Sequence, residues 1–573
     1  MAMHVRFGFL TLVACVTVLL APVSPPSLLA QSQHAALTGQ VTSSDEGPME
    51  GVLVSAKKAG STQTITGVSD QQGRYRFPQA RLEPGEYTLR IRAIGYELES
   101  AATVSVVAQK TATADLQLRK ASDLASQLTN AEWLASFPGS DEQKASVRGC
   151  AHCHTLELVT RSRHDAVKLA GVIGRMSGYP PLAFPLMVQK TPAPRIGGGP
   201  VGPVGTVQSE RQQQAWRRQA EYLSGVNLSS APQWSYAFKT LPRPKGRATQ
   251  VIYTEYDLPQ RTRQPHDVIV DSAGIVWYAA FGEQILGKLD PKTGKITEYP
   301  VPLLKPGAPT GILGMRFDED ENPWLAMQFQ GGIAKFDKKT EKFQTWSLPP
   351  ELNGDHVQIN EVSPERQRVD GKVWLQDAGT YTLLRLDVRS GKFEVFEPYK
   401  IPRPNVYDVI PDSRNNGYFL PLGSEEIGRI DAKTGAITMY KTPTPGSGPR
   451  RGMMDGQERL WFGENRADRI GMFDTRTQRF QEWPAPTPGA WPYDVTADKN
   501  GDVWSGGEYN DRILRLNPRT GEFLEYLLPQ HTNVRRVFVD NATSPVTFWV
   551  GSNHGASIVK LEPLDAPALT RSR

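Results

Sequence analysis

Leu289-Asp-Pro-Lys-Thr-Gly-Lys-Ile-Thr-Glu-Tyr299 is the stretch that decides the main fold of this 573-residue chain. It contains the end of one strand, a tight turn that opens with Asp, and the start of the next strand, with Gly where the turn needs a positive φ. Copies return at intervals of 43 to 50 residues, which is the repeat length of propeller blades. The copies occupy Phe336–Trp346, Leu386–Phe396, Ile430–Tyr440, Phe473–Trp483 and Leu516–Tyr526.

Counting strand types predicts how the repeat array closes. An aromatic strand precedes each copy, and seven inner strands begin near Asp267, Gly311, Val357, Asp408, Gly452, Asp494 and Arg536. The last repeat lacks the turn phrase after Leu561, whereas an unmatched outer strand, Val251–Leu258, stands before the first blade. We therefore predict a seven-bladed β-propeller over residues 250–565, in which Val251–Leu258 completes the last blade and leaves no free sheet edge.

A second feature is the pentapeptide Cys150-Ala-His-Cys-His154. C-x-x-C-H is the attachment motif of a c-type haem, in which both thiols form thioethers and His154 is the proximal iron ligand. A redox dithiol would not need His154, and half of a zinc site would need a second Cys/His pair, which does not follow. The only other cysteine, Cys15, lies in a segment predicted to be removed. The motif predicts one covalent haem c.

Residues 120–228, around this motif, are predicted to be helical over Asp141–Cys150, Asp165–Met176 and Ser209–Val226. This order of helices, with Tyr222-Leu-Ser224 near the end, resembles a small monohaem cytochrome c. The resemblance favours Met176 as the distal iron ligand, and Met187 is the main alternative. His152 lies between the cysteines, and His164 is expected to cap the helix that follows it. The Gly/Pro-rich insert 193–205 is predicted to be a loop over one haem edge.

Residues 36–119 contain short strands separated by turn signals such as Asp45-Glu-Gly47 and Pro84-Gly85, which predicts a small β-sandwich. The pattern resembles the carboxypeptidase regulatory-like domain, and this resemblance implies an accessory module without chemistry. Residues 229–249 are predicted to be a proline-containing basic linker. The fold class is thus multidomain and mainly β, with a small β-sandwich, an α-helical cytochrome c domain and a seven-bladed β-propeller.

The N-terminus and the composition predict where the protein acts. Residues 1–30 have a basic start, a short apolar run and small residues before Gln31, as in a secretory signal peptide. No later run is apolar enough to span a membrane. The net charge of +5 is small and dispersed, so no basic stripe favours nucleic acid. We expect a periplasmic or secreted protein with a redox partner protein.

The blade text Pro265–Trp277 and Leu460–Gly471 resembles streptogramin (virginiamycin B) lyases over residues 250–562. That family opens a cyclic ester by elimination, with a magnesium ion held by carboxylates and a histidine base. The resemblance places Glu464 at a family carboxylate. Arg466 occupies the position of the family base, and no Glu-x-His occurs in the chain. This departure argues against retained lyase activity.

Two sets of loops are expected to converge at one mouth of the propeller, and together they predict a site for a small polar ligand. The first set contributes His266, His356, Arg450, Arg451, Tyr493 and Arg535, and the second contributes Gln328, Asp377, Glu464, Glu508 and His554. Among these, the candidate catalytic residues are His266, His356, Glu464 and His554. The candidate substrate-binding residues are Arg450, Tyr493, Glu508 and Arg535.

Three functions remain open on the sequence. The first is haem electron transfer coupled to a propeller that binds a polar substrate or partner. The second is a magnesium-dependent lyase of the streptogramin B type with an accessory haem domain. The third is non-enzymatic binding of carbohydrate or protein at the cell surface.

Overall fold

A computed structural model describes residue 1 and residues 35–180, 185–190, 210–400 and 404–564. The predicted signal peptide beyond Met1, Cys15, the insert 193–205 and the predicted helix start Ser209 lie outside the described residues. Among the described residues, no helix is long and apolar enough to cross a membrane.

The N-terminal unit is a β-sandwich, as predicted. Its first sheet has the order β2-β1-β10-β7 with β5 and β9 also paired to β1, and its second sheet contains β4-β3-β6-β8. Side chains from both sheets form one core around Leu37, Val54, Phe77 and Leu89. The strands are β1 (Ala35–Ser43), β2 (Gly47–Pro48), β3 (Leu53–Lys58), β4 (Gln63–Val68), β5 (Arg74–Pro78), β6 (Gly85–Arg92), β7 (Tyr96–Leu98), β8 (Ala102–Val106), β9 (Ala112–Thr113) and β10 (Leu116–Lys120).

A helical segment follows the sandwich. It contains α1 (Asn130–Ser136), α2 (Asp141–Val147), α3 (Leu156–Thr160), α4 (Ala166–Met176) and α5 (Glu210–Val226), with 3-10 helices at Leu124–Gln127 and Arg148–His152. The α2 helix ends earlier than predicted, and the first residues of the haem motif lie in the tighter 3-10 turn. The cap of α4 is Asp165, whose carboxylate accepts the Lys168 N–H, and not His164 as predicted. An aspartate oxygen is the better acceptor for a helix N-terminus.

The third unit is the propeller, with six four-stranded blades and a seventh discussed below. Inner strands contact their neighbours in turn, and the last contacts the first, so the ring is closed. The strands are β11 (Val251–Asp257), β12 (Pro265–Val270), β13 (Val276–Ala280), β14 (Ile285–Asp290), β15 (Lys295–Pro300), β16 (Met315–Phe317), β17 (Pro323–Met327), β18 (Gly332–Asp337), β19 (Lys342–Ser347), β20 (Ile359–Ser363), β21 (Lys372–Asp377), β22 (Thr382–Asp387), β23 (Phe393–Phe396), β24 (Val406–Pro411), β25 (Gly417–Pro421), β26 (Glu426–Ile430), β27 (Ile437–Lys441), β28 (Pro449–Met454), β29 (Arg459–Glu464), β30 (Arg469–Asp474), β31 (Arg479–Pro484), β32 (Pro492–Ala497), β33 (Val503–Gly507), β34 (Arg512–Asn517), β35 (Glu522–Leu527), β36 (Val537–Asp540), β37 (Thr547–Ser552) and β38 (Ser557–Pro563). A 3-10 helix at Gln328–Gln330 and the short helix α6 (Gln367–Asp370) lie in the loops.

The aromatic strands are anchored by a repeated hydrogen bond. In the first blade, the Trp277 Nε1–H donates to Asp271 Oδ2 at 2.9 Å, and the other oxygen of Asp271 accepts the backbone N–H of Ile275. Equivalent tryptophan–aspartate bonds recur in three further blades, at Asp318, Asp455 and Asp498. Each tryptophan therefore buries its ring between blades while its one polar atom remains satisfied.

The seventh blade is completed by β11, which pairs with β38 from Val251–Pro563 to Asp257–Ser557. This is the closure that the lone outer strand predicts. The sequence did not predict that the other side of β11 pairs with β4 of the sandwich, in register from Ile252–Gly67 to Tyr256–Gln63. One eight-stranded sheet thus runs from the propeller into the sandwich. The sandwich is therefore continuous with the last blade.

The predicted linker, residues 229–249, is packed against the helical segment. Trp234 and Phe238 lie 5.2 and 5.3 Å, ring centre to ring centre, from the buried Trp133. Arg243 forms an ion pair with Glu46 of the sandwich. These contacts join the helical segment to the sandwich, so residues 229–249 hold the helical region in a defined place.

Candidate functional site

The starts of several inner strands bring a polar cluster together at one end of the propeller channel. His266 comes from β12, Arg450 from β28, Tyr493 from β32, and Arg535 precedes β36. All four side chains are buried. Four members of the first predicted set therefore do converge, but the cluster is covered instead of open to solvent.

Glu508 holds two of these arginines. Its carboxylate contacts Arg450 Nη1 at 2.5 Å and Arg535 Nη1 at 2.8 Å. Burial by itself raises the pKa of Glu508, but the two guanidinium groups outweigh it and hold the pKa below its ordinary value. Glu508 is thus ionised, and it compensates much of the positive charge at the mouth.

A directed chain of hydrogen bonds lies beside this ion-pair cluster. His266 Nδ1 is 2.6 Å from Asp267 Oδ1, and His266 Nε2 is 3.1 Å from the Tyr493 hydroxyl. The Tyr493 hydroxyl also contacts the hydroxyl of Tyr407. Burial lowers the pKa of His266 to about 4, so the imidazole is neutral near pH 7. A neutral imidazole with Nδ1–H given to a carboxylate must accept at Nε2, so Tyr493 donates to His266.

Arginine side chains cover the two tyrosine rings. The guanidinium carbon of Arg450 lies 3.8 Å from the Tyr493 ring centre and 4.8 Å from the Tyr407 ring centre. That of Arg535 lies 5.3 Å from the Tyr493 ring centre. These are cation–π distances, and they also place positive charge beside both phenols.

Asp267 also belongs to a second network of buried charges, which includes Arg451 and Glu361. Arg451 donates to both oxygens of Asp267 at 3.0 Å and to Glu361 Oε2 at 2.8 Å, with all three side chains fully buried. The Met315 N–H also donates to Asp267. These contacts keep the pKa of Asp267 below its ordinary value although burial opposes them. Burial raises the pKa of Glu361 to about 8.

The cluster is covered by the Cys-x-x-Cys-His motif. His152, between the cysteines, has its Nε2 2.9 Å from the Tyr509 hydroxyl and 3.7 Å from Glu508 Oε1. Arg535 Nη2 donates to the His152 carbonyl at 3.2 Å, and His554 Nε2 lies 3.5 Å from the same oxygen. The motif therefore sits directly on the residues predicted to bind a ligand.

Two further contacts extend this cover. The Arg148 guanidinium stacks on Trp491 at 3.7 Å. On another side of the mouth, Gln189 donates to the carbonyls of Gly282 and Thr310 and accepts the Thr310 N–H. The helical segment thus bridges loops of several blades.

The predicted haem ligands have distinct surroundings. Cys150 and Cys153 are half-buried thiols, and burial raises the pKa of Cys150 to about 11. His154 Nδ1 is 2.9 Å from the Thr155 carbonyl, which can only accept, so this nitrogen carries the proton and Nε2 carries the lone pair. Burial lowers the pKa of His154. Met176 ends α4 with 41% of its surface exposed, and Met187 is half-buried.

Several predicted mouth residues lie apart from the cluster. Asp377 accepts the N–H groups of Gln358 and Gly379, and Gln328 donates to Asn360, so both organise loops. Nε2 of His356 is buried without a hydrogen-bond partner among the described residues.

Glu464, the predicted family carboxylate, is fully buried at the end of β29. Burial, followed by the nearby Glu482 carboxylate, raises its pKa to about 9. It is therefore protonated near pH 7 and does not line an open mouth. In the part of the chain that the structure describes, no three His, Cys, Asp or Glu side chains are grouped so that they could hold a metal ion.

The sequence interpretation missed Tyr407, Asp267, His152 and Tyr509 as members of the site. A signal for the first two exists: three inner strands begin with an aromatic ring followed by aspartate, in Pro265-His-Asp267, Val406-Tyr-Asp408 and Pro492-Tyr-Asp494. No local pattern identifies His152 and Tyr509, because 357 residues separate them in sequence.

Comparison with known families agrees with this architecture. Residues 304–563 match the virginiamycin B lyase family, and residues 36–119 match the carboxypeptidase regulatory-like domain. The chain therefore carries a virginiamycin B lyase-like propeller preceded by a carboxypeptidase regulatory-like domain. No curated protein matches the chain.

Similar solved structures include the selenomethionine-substituted virginiamycin B lyase of Staphylococcus aureus, at 24% identity and a TM-score of 0.46, covering 54% of this chain and 99% of that one. A catalytically inactive variant of the Staphylococcus aureus lyase, with quinupristin, gives the same values. A streptogramin B lyase structure is 22% identical with a TM-score of 0.47, covering 56% of this chain and 99% of that one.

Proposed function

We propose that this protein is an exported c-type haem protein that couples electron transfer to a polar ligand at the propeller mouth. One observation carries the proposal. The residue between the two cysteines of the haem motif, His152, contacts Glu508 and Tyr509 of the mouth. Cys150, Cys153 and His154 would therefore hold a haem on the segment that contacts the mouth.

The surroundings of the motif fit a covalent haem. The Nδ1–H bond of His154 to a backbone carbonyl leaves Nε2 available, which is the usual arrangement of a metal-binding histidine. Large apolar side chains are exposed on the helical segment, at Leu158, Val167 and Met176. Contact with a porphyrin would remove such side chains from water, which is favourable.

Within this proposal, Cys150 and Cys153 form the thioethers and His154 binds the iron. Met176 is the proposed distal ligand, with Met187 as the alternative. When bound, the haem supplies reversible one-electron transfer. His152 and Arg148 hold the motif against the mouth. A redox partner protein outside the cytoplasm would exchange electrons with the haem, in keeping with the predicted signal peptide.

We expect one covalent haem per chain when the protein is matured with a c-haem attachment apparatus. Thioether bonds survive denaturation, so a denaturing gel should show a haem-stained band. The double variant Cys150→Ser, Cys153→Ser should lose the stain. Met176→Ala should keep it and lose the sulfur–iron charge-transfer band of the oxidised protein, and Met187→Ala should lose neither. Covalent stain in the double variant would refute the assignment.

A second candidate function is a streptogramin B-type lyase, and the family match over residues 304–563 favours it. The residues present do not fit the required magnesium site: Glu464 is sealed from solvent with a raised pKa, and Arg466 replaces the family base. An arginine side chain stays protonated and cannot act as a base. The electron-transfer proposal therefore ranks first.

Glu464→Gln discriminates between the two candidates. The carboxyl is held protonated up to about pH 9 in the fold but ionises near 4.5 when unfolded, so stability falls as the pH rises between these values. Glutamine does not titrate, so the variant should gain on the order of 1–3 kcal/mol at about pH 8 and nothing below about pH 4.5. Urea unfolding at both pH values measures this gain.

The matched control is Glu99→Gln at an exposed position, which should change stability at neither pH. In parallel, the wild type is incubated with magnesium and a streptogramin B ester, and no ring-opened product is expected. Efficient opening of the ester that is lost in Glu464→Gln would make the lyase the leading function.

A further inference from the structure

The hydrogen-bond chain at the mouth has a direction and an end. Asp267 accepts from His266 Nδ1, so Nε2 must accept from the Tyr493 hydroxyl, whose oxygen in turn can accept the Tyr407 hydroxyl proton. Tyr407, with 8% of its surface exposed, retains the most contact with solvent among these four residues. The phenol nearest the surface is therefore connected to a buried neutral base.

We infer that Tyr407, Tyr493 and His266 form a proton relay, in which Tyr407 takes a proton from a polar ligand that carries an acidic hydroxyl or an acidic C–H beside a carbonyl. As the ligand proton reaches the Tyr407 oxygen, the Tyr407 proton moves to Tyr493 and the Tyr493 proton moves to His266 Nε2. The products are the ligand anion and an imidazolium paired with Asp267, so charge and protons balance.

The surrounding arginines favour the ligand anion, whereas Asp267 supports the imidazolium against the opposing charges of Arg451 and Arg535. Arg451 and the Met315 N–H hold Asp267 ionised and in place beneath the imidazole. Arg450 and Arg535 lie over the phenols, where they would stabilise an anionic ligand. Burial keeps the pKa of Tyr493 well above its ordinary value, so the relay passes protons between neutral phenols and accumulates no phenolate. Tyr407 is the catalytic residue, whereas Tyr493, His266 and Asp267 act through it.

The relay rests on the ligand-binding half of the proposed function and requires no haem. Haem content is measured by staining in every preparation. A protein without haem but with a working relay would refute only the electron-transfer half, and a haem-loaded protein without a relay would refute only this inference.

The test uses p-nitrophenyl acetate, a small ester that reports an activated hydroxyl. The Tyr407 oxygen attacks the carbonyl carbon, the bond to nitrophenolate breaks, and the phenolic proton passes through Tyr493 to His266. Peptide mass spectrometry follows acetylation of Tyr407, with half-buried Tyr179 as an internal reference. We expect Tyr407 to react at least about tenfold faster than Tyr179.

His266→Gln and Tyr493→Phe should each lower the rate at Tyr407 by about 100-fold. His531→Gln is the matched control, because His531 also bonds an aspartate, Asp511, but lies outside the relay. It should leave the rate unchanged. Thermal melting checks that each variant is folded. If His266→Gln does not fold, Tyr493→Phe, which keeps the aromatic ring, still tests the relay.

The pH profile separates a relay from a purely structural role. His266 is faced by Asp267, Arg451, Arg535 and Tyr493, and burial sets its pKa at about 4. In the wild type, acetylation should rise through about pH 4 and then level off, because only the neutral imidazole accepts a proton. In folded His266→Gln the rise through about pH 4 should be absent, because the titrating imidazole is gone. An unlabelled Tyr407, or a profile that His266→Gln does not change, would overturn the inference.

Discussion

Arg451→Met should destabilise the propeller by about 3–5 kcal/mol, because it leaves the buried Asp267 carboxylate without its main cation. Arg451 contacts both Asp267 and Glu361, and none of the three side chains reaches solvent. Arg536, 3.6 Å from Asp267, offers only partial compensation. Denaturant unfolding of the wild type and the variant at about pH 8 measures the loss.

The loss should shrink as the pH falls towards about 5, because Asp267, without the guanidinium, takes up a proton more readily in the folded state. Arg459→Met is the control, since Arg459 pairs with Asp455 at the surface of the same blade. It should cost less than about 1 kcal/mol. Equal losses for the two variants would show that the Arg451 network does not stabilise the fold.

Thr254→Pro should cost at least about 3 kcal/mol, because proline removes a backbone donor from the centre of a sheet. Thr254 pairs with Lys560 on one side and with Ile65 on the other, so β11 has no free edge where a proline could be accepted. The same strand completes the seventh blade and pairs with the sandwich. In thermal melting, both units should therefore unfold at a lower temperature than in the wild type.

The matched control for this strand is Thr254→Ala, which keeps the N–H and removes only the side chain. It should lose far less stability than the proline variant. Limited proteolysis then shows whether the sandwich separates from the propeller. An unchanged melting temperature for Thr254→Pro would mean that β11 is not paired on both sides.

The position of the helical segment connects the proposed function to the inferred relay. The Cys-x-x-Cys-His motif contacts Glu508 through His152, Glu508 binds Arg450, and Arg450 lies over Tyr493. A ligand at Tyr407 would therefore share one charged network with the motif. The same cover limits access to the mouth. Only small ligands would enter it unless the helical segment is displaced.

Much of the fold followed from local patterns. The turn phrase beginning at Leu289 repeats because each blade needs the same tight connection, and the unmatched strand at Val251 has only one truncated blade to complete. Asp165 and the apolar side of 166–176 predict α4 to within one residue. The Cys150–His154 motif is recognisable because its chemistry requires a fixed spacing along the chain.

The site was predictable only in part. His266, Arg450, Tyr493 and Arg535 were placed together because inner strands of a propeller all start at the same mouth. The sequence did not predict that Glu464 is fully buried, because burial depends on neighbouring blades, which its own sequence context does not describe. Its raised pKa comes from that burial.

The sequence by itself determined the number of blades, the closing strand, the sandwich and the presence of a Cys-x-x-Cys-His motif. These features depend on periodicity and spacing, which are properties of short segments. Only the tertiary structure decided that β4 extends the last blade, that the motif covers the mouth, and that His266 meets a tyrosine 227 residues away. Such contacts form between distant segments whose surfaces match after folding, and no local pattern records that match.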